Sequence, residues 1–311
     1  LDNHVINQIA AGEVIQRPAS VLKELLENSI DAQAKNIQII IENSGKTLIQ
    51  VIDDGQGMNK KDAILCFKKH ATSKIKIAAD ILNISSMGFR GEALASISSI
   101  SNVELKTKTK NEEVGTYIQV DNSQIKKNQS IGAKTGTSIA VKNIFFNIPA
   151  RKKFLKSDKI EMQKILEVFY QIAISYHHIE FHLSHNNKNI YNLTTHNLKQ
   201  RIIQLFGKKY NEKILPLEET TSIVNIIGFI GNPLDAKKTR GEQFLFVNNR
   251  FIKSAYLNHA IKSAMNNLIY DDQHPSYFIF LSIDSNLIDV NVHPNKTEIK
   301  FEDEKSIYQI L

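Results

Sequence analysis

The sequence predicts an α/β or α+β fold divided into two domains. Segments of helical period alternate with segments of strand period, nothing repeats at a fixed length, and 311 residues at 42% hydrophobic and 23% charged supply enough apolar side chain for two cores. The same composition narrows the function. No apolar run approaches the roughly 18 to 20 residues that span a bilayer, and the N-terminus lacks the charged-then-apolar pattern of a secretion signal. A soluble protein with no membrane partner is expected. The single cysteine, Cys66, cannot form an internal disulfide; its neighbours Ala63, Ile64, Leu65 and Phe67 point to a buried structural thiol in a reducing compartment. A formal charge of +7 suits contact with a polyanion, and suits solvated lysines equally. The start at Leu1 and the end inside the apolar stretch Ile307–Leu311 read as a piece of something longer.

The first helix starts at Pro18, whose fixed φ suits a first turn, and places Val21, Leu22, Leu25, Leu26 and Ile30 on one apolar face. Glu24, Asn28 and Asp31 fall opposite, in one line at spacings of four and seven. A carboxylate and a carboxamide can then address one small volume; a solvated face is the alternative. Two strands follow, Asn36 to Glu42 and Thr47 to Asp53, joined as a hairpin by Asn43-Ser44-Gly45-Lys46. The second ends in Asp53-Asp54-Gly55-Gln56-Gly57-Met58. That ending puts an acceptor at the sheet edge beside a backbone that a flat ligand can approach, and an exocyclic amine is a fitting donor to Asp53. Asp-Gly-x-Gly is also a common turn.

Farther on, His70-Ala71-Thr72-Ser73-Lys74 leads to Gly88-Phe89-Arg90-Gly91-Glu92-Ala93, a glycine-rich loop running into an apolar helix. Backbone N–H groups at a helix start favour anionic oxygens, and glycine permits the close approach of a phosphate cradle. No Walker A pattern and no G-x-G-x-x-G after a strand occur, which disfavours P-loop and Rossmann readings.

Together, Glu24-Leu25-Leu26-Glu27-Asn28-Ser29-Ile30-Asp31-Ala32, Asp53-Asp54-Gly55-Gln56-Gly57-Met58 and Gly88-Phe89-Arg90-Gly91-Glu92-Ala93 resemble the nucleotide-binding motifs of the GHKL ATPases, the group of gyrase, the ninety-kilodalton heat-shock chaperones, sensor histidine kinases and MutL. Asn7-Gln8-Ile9-Ala10-Ala11-Gly12-Glu13-Val14, Arg17-Pro18-Ala19-Ser20-Val21 and the two loop motifs are similar to the MutL family in particular. The likeness continues through Gly136-Thr137-Ser138, Asn147-Ile148-Pro149-Ala150-Arg151, Phe246-Val247-Asn248-Asn249-Arg250 and Asp289-Val290-Asn291-Val292-His293-Pro294-Asn295-Lys296. The resemblance implies a GHKL ATPase α/β sandwich over residues 1–200, and a smaller α/β domain like ribosomal protein S5 over 201–311. In the second domain, strands are expected at Ile223 to Ile230, Gln243 to Val247 and Ser276 to Ile283. The family's left-handed crossover runs against the usual preference and does not follow from periodicity.

Residue by residue, the resemblance implies Glu24 as the general base that orients the attacking water and Asn28 as the protein ligand to Mg²⁺. Asp53 and Thr137 would read adenine, with Gly57 and Met58 beside them. Thr72, Ser73 and Lys74 would lie on the phosphate side, and Gly88, Phe89, Arg90, Gly91 and Glu92 in the lid. Lys296, on a loop after the alternating stretch Leu287 to Val292, would reach the γ-phosphate as a second catalytic group. The implied function is DNA mismatch repair in the bacterial cytosol by a slow, Mg²⁺-dependent ATPase. Its partners would be a second copy through ATP-dependent dimerisation, a MutS-type mismatch-recognition protein, and DNA bound weakly and without sequence preference. A type II topoisomerase ATPase subunit and a nucleotide-binding DNA scaffold without turnover are the alternatives.

Two other features invite function. His177, His178, His182 and His185 suggest zinc, but Ile179, Phe181 and Leu183 alternate with Glu180, His182 and Ser184 as a half-buried strand does. Arg151-Lys152-Lys153 with Lys156 and Lys159 could touch DNA phosphates, and a solvated helix face accounts for them as well.

Overall fold

A computed structural model describes residues 11–12, 15–68, 91–289 and 299–311. The chain forms two compact units. The first takes in the chain up to Tyr170 with His178–Thr195; the second comprises Gln171–His177 with His196–Leu311.

In the first unit, α1 (Pro18–Asp31) begins with proline at a position where a missing N–H costs nothing. Val21, Leu22, Leu25 and Leu26 are each at most 1% exposed. Burial of such side chains contributes about 1.5 to 3 kcal/mol apiece, more than a side-chain N-cap would add. The apolar stripe differs from the expected one at its end. Ile30 is only half-buried, and Ser29, four residues after Leu25 and seven after Leu22, takes the buried seat. Glu27 is buried too, with Lys23 at 3.7 Å one turn back.

The hairpin reading holds. β1 (Asn36–Glu42) pairs antiparallel with β2 (Leu48–Asp53), from Ile37 opposite Asp53 to Glu42 opposite Leu48. These strands join β3 (Asn102–Lys108), β4 (Gly115–Asp121), β5 (Gln124–Ile131), β6 (Gly136–Lys142), β7 (Glu180–His185) and β8 (Lys188–Leu193). The eight-stranded order is β5-β4-β3-β6-β2-β1-β7-β8. Among the described residues of this sheet, the β1–β7 pair alone is parallel. Along β7, Phe181 and Leu183 are fully buried and His182 is exposed, which is the alternation expected of the histidine tract.

Residues opposite one another across a sheet share a face. One row therefore runs Leu183, Ile39, Val51, Ile139, Leu105, Ile118, and the row beside it runs Phe181, Ile37, Asp53, Thr137, Thr107, Thr116. The first is wholly aliphatic. The second turns polar at β2 and stays so. α1 packs on β2 and α3 (Ala93–Ile100) on β3 and β4. Among the described residues, this part of the chain also holds α2 (Lys60–Leu65), α4 (Pro149–Phe154) and α5 (Asp158–Ser175), whose last turns belong to the second unit.

The second unit contains α6 (Leu198–Phe206), α7 (Tyr210–Lys213), β9 (Ile214–Thr220), β10 (Asn225–Gly231), β11 (Gln243–Val247), β12 (Arg250–Ile252), α8 (Ala255–Ala264), β13 (Tyr277–Ser282), β14 (Ile288–Asp289), β15 (Lys300–Phe301) and α9 (Glu304–Ile310). Five strands form a sheet in the order β12-β11-β13-β10-β9, with β11 and β13 parallel. The three expected strands are present, with ends shifted by up to two residues. An aliphatic core of Val224, Ile226, Leu245, Val247, Leu257, Ile261, Ile279, Leu281 and Ile307 joins the sheet to α8 and α9. Phe244 and Phe278 stack at 5.6 Å with Phe206 of α6 beside them, and Phe246 stacks on Phe280 at 4.4 Å. Arg201 is fully buried. Its guanidinium donates to the carbonyls of Ala173 at 2.8 Å and His177 at 3.0 Å, meeting the negative end of α5 with a cation. Among the described residues no helix is long and apolar enough to cross a membrane.

Candidate active site

The site is built where the polar row crosses β2, β6 and β3. Asp53, the last residue of β2, is half-buried, and its carboxylate accepts from Ser29 Oγ at 2.9 Å and from the Gly55 N–H at 3.0 Å. Burial holds this carboxyl above the usual aspartate range, against hydrogen bonds from Ser29, Gly55 and the backbone of Thr137. Asp54 is spent on structure. Burial opposes its charge, but hydrogen bonds from Asn36 and the Lys35 N–H outweigh that and hold the carboxyl below its ordinary value.

Thr137 stands opposite Asp53 on one side and opposite Thr107 on the other. Thr107 is 1% exposed, and its hydroxyl has three partners: it donates to Gly136 O at 3.0 Å, accepts from the Met58 N–H at 2.8 Å, and lies 3.0 Å from Thr137 Oγ1. Met58 and Thr137, far apart in sequence, are thus tied through one buried side chain.

Glycine is required where the loop after β2 meets the sheet. Gly57 has a φ of +70°, and a Cβ there would lie 2.1 Å from the Lys108 carbonyl oxygen. At Gly136, with a φ of +120°, it would lie 2.1 Å from Asp53 O. The loop is also fastened to the end of α1 by the Gln56 N–H, which donates to Ala32 O at 2.9 Å. Asp53 and Thr137 are therefore presented on fixed backbone, with little reorganisation left to a ligand.

Glu24 and Asn28 lie one turn apart on the half-exposed side of α1. Ser29 belongs to the same helix and touches Asp53, so it sets the depth of α1 against β2. Glu24 is five residues before Ser29, about 7.5 Å farther along the axis. Gly91 has a φ of +62° and Glu92 is the residue before α3, its carbonyl accepting from the Ser96 N–H at 2.9 Å. Thr72, Ser73, Lys74, Gly88, Phe89, Arg90 and Lys296 lie outside the described residues.

Sequence reasoning missed Ser29 and Thr107. The signal for Ser29 was its seat on the stripe of Leu22 and Leu25; Thr107 was hidden in Lys106-Thr107-Lys108-Thr109-Lys110, which reads as a solvated run. Of the basic run, Arg151 is engaged internally, donating to the carbonyls of Gly12 at 2.7 Å and Ile15 at 3.4 Å, while Lys152 and Lys153 are exposed. Cys66 donates to Ala63 O at 3.2 Å, and burial pushes its thiol up to about 12, as suits a structural cysteine.

A sheet whose helix-bearing α1 carries the Glu24–Asn28 line, and whose β2 ends in a carboxylate and two glycines, defines a class. It is that of the histidine kinase-, DNA gyrase B- and HSP90-like ATPases, whose family model matches residues 16–149. A second model, the C-terminal domain of DNA mismatch repair proteins, matches residues 202–311. DNA mismatch repair protein MutL of Christiangramia forsetii is 55% identical over the whole chain, and that of Flavobacterium psychrophilum 54% identical. The chain belongs to the MutL family and corresponds to its N-terminal ATPase region. It spans about half the length of these relatives, 50% and 51% respectively. Among solved structures, the N-terminal domain of a DNA repair protein is similar with a TM-score of 0.83 at 25% identity, covering 98% of this chain and 95% of that one. The Aquifex aeolicus MutL ATPase domain complexed with ADP follows with a TM-score of 0.65 at 26% identity, covering 87% of this chain and 93% of that one.

Proposed function

We propose that this chain binds ATP with Mg²⁺ and hydrolyses it slowly, as the nucleotide-driven switch of a mismatch-repair protein. The observation that carries the reading is the acceptor pair Asp53 and Thr137 held on a glycine-bounded backbone. Gly57 and Gly136 let the loop and β6 pack close against neighbouring backbone and so fix both acceptors, and the exocyclic amine of a base is a fitting donor to the Asp53 carboxylate. The ADP complex of the similar Aquifex aeolicus domain supports a nucleotide of this kind.

On this reading residues 1–200 bind the nucleotide and residues 201–311 form the transducer. Glu24 accepts a hydrogen bond from water and orients it toward the terminal phosphate, taking its proton as the P–O bond forms. Asn28, one turn on, offers a carboxamide oxygen suited to a hard divalent cation, which supplies charge neutralisation. Lys74 and Lys296 would place ammonium groups on the phosphate side, with Thr72, Ser73 and the segment Gly88–Glu92 closing over it. ATP contacts made in only one state would order that segment and favour dimerisation, coupling the chain to a MutS-type partner and to DNA through sequence-independent phosphate contacts in the bacterial cytosol.

The test is Mg²⁺-dependent hydrolysis at several protein concentrations, for this chain and for Glu24→Ala, with ATP binding measured separately. Activity that rises more steeply than concentration, and is lost in a variant that still binds ATP, is the expected result. Equal activity in both chains removes Glu24 as base; binding without turnover leaves the scaffold alternative.

A further inference from the structure

We propose that Thr107 sets the hydrogen-bond polarity of the base-reading edge: by taking the hydroxyl proton of Thr137 it leaves Thr137 able only to accept, so the site selects purines bearing an exocyclic amine over those bearing an oxo group there. The inference rests on the nucleotide-binding reading above.

A threonine hydroxyl has one proton and two lone pairs. The Gly136 carbonyl can only accept, so at 3.0 Å the Thr107 proton goes to it. One lone pair of Thr107 takes the Met58 N–H at 2.8 Å. Either oxygen could donate in the 3.0 Å contact with Thr137 Oγ1 on distance alone; with the Thr107 proton assigned to Gly136 O, we assign Thr137 as the donor. All three positions on the Thr107 oxygen are filled, and the single proton of Thr137 is used. What the half-exposed Thr137 hydroxyl presents outward is lone pairs.

Asp53 presents the same polarity. Its oxygens take the Ser29 hydroxyl, the Gly55 N–H and a hydrogen bond from the Thr137 backbone, and its remaining capacity is for accepting. Two neighbouring strands thus offer acceptors side by side. An amino purine supplies donors to both. A 6-oxo purine turns an acceptor toward them at that position and keeps a donor only at the neighbouring N1–H; with its proton committed to Thr107, Thr137 cannot turn round to donate to the oxo group. Burial of Thr107 protects this arrangement, because no water competes for its hydroxyl. Thr107 is a positioning residue that acts through Thr137.

The experiment is the ratio of dissociation constants for ITP and ATP, measured by titration calorimetry on the parent chain, Thr107→Val, Thr107→Ser and Thr137→Val. The parent is expected to prefer ATP. In Thr107→Val the Thr137 proton is released to serve an oxo group, and the ratio falls by about fivefold to tenfold, the worth of roughly one hydrogen bond. Thr107→Ser keeps the hydroxyl and restores the parent ratio. If Thr107 served only to hold the Met58 loop, Thr107→Val would weaken both nucleotides by the same factor and leave the ratio unchanged, which overturns the inference. Thr137→Val gives a second reading should Thr107→Val not fold: loss of an acceptor lowers the ratio, whereas a rise or no change shows that Thr137 was not accepting. A parent chain that binds neither nucleotide overturns the nucleotide-binding reading itself, and this inference with it.

Discussion

Replacing Gly136 with alanine strikes the junction on which the site depends. The residue opens β6 at a φ of +120°, and an added Cβ would lie 2.1 Å from Asp53 O, 3.0 Å from Asp53 C and 3.0 Å from Asp54 Cα. All three neighbours are backbone of the strand end that carries Asp53, so no side chain can swing away. The dihedral alone costs on the order of 1 to 3 kcal/mol for a residue with a side chain. Relieving an overlap of this depth requires β2 and β6 to separate, which adds roughly 1 to 3 kcal/mol as in other overpacked sites. A total near 4 kcal/mol is a large part of the roughly 5 to 15 kcal/mol that stabilises a domain. With a urea slope of about 2 kcal/mol per molar, the unfolding midpoint of the first unit falls by about 2 M. The assay is urea unfolding followed by far-UV circular dichroism, with Gly132→Ala as control, since a Cβ at Gly132 has nothing within 4 Å. Gly132→Ala should stay within about 0.5 kcal/mol of the parent. A Gly136→Ala midpoint indistinguishable from the control refutes the close approach of β2 and β6 at Asp53.

Asp53→Asn is expected to keep the fold, because Ser29 can turn its proton to Leu25 O, 3.2 Å away, and accept from the new amide. The Asp53 carboxyl is held above 3.8 in the folded chain, so ionisation opposes folding. Between 3.8 and the raised folded value the folded state holds the extra proton; parent stability relative to Asp53→Asn therefore falls as pH rises through that window and is level above it. Denaturation of both chains across acidic pH checks the sign, and a relative stability that rises with pH contradicts it. In the second unit, Arg201→Met keeps the side-chain bulk but withdraws the donors to Ala173 O and His177 O. Burial pulls that guanidinium down to about 10, still charged near neutrality, and its loss should cost about 3 kcal/mol. Unfolding of the second unit by urea reads this directly, and a change under about 0.5 kcal/mol would contradict the clamp.

Local patterns made much of the first unit legible. α1 announced itself through Val21, Leu22, Leu25 and Leu26 at helical spacing, and the hairpin through a polar turn between two alternating runs. The place of Asp53 at the end of β2 was readable from the strand pattern, whereas Asp-Gly-x-Gly is a common turn and the expected role of Asp53 came from the family resemblance. Ser29 was not readable, since a hydroxyl carries no apolar signal although its position belongs to the buried stripe. Ile30 was overcounted for the converse reason. Thr107 is polar, flanked by lysines and yet 1% exposed, because its burial comes from the pairing of β3 with β4 and β6, which no local window contains. The parallel pairing of β1 with β7 is equally non-local. The strands of the second unit were visible as apolar runs, and the alternation Phe244-Leu245-Phe246-Val247 and Phe278-Ile279-Phe280-Leu281 divides aromatic from aliphatic faces locally, while the parallel pairing that aligns the two strands is non-local.

The most direct measurement is calorimetric titration of the chain with ADP, beside Asp53→Ala and with folding of both verified by circular dichroism. Saturable binding to the parent at one site per chain is expected. In Asp53→Ala that binding is weakened at least about a hundredfold, as befits removal of a charged hydrogen-bond partner at the base. Equal affinity in the two folded chains would contradict Asp53 as the base-reading residue, and with it the site described here.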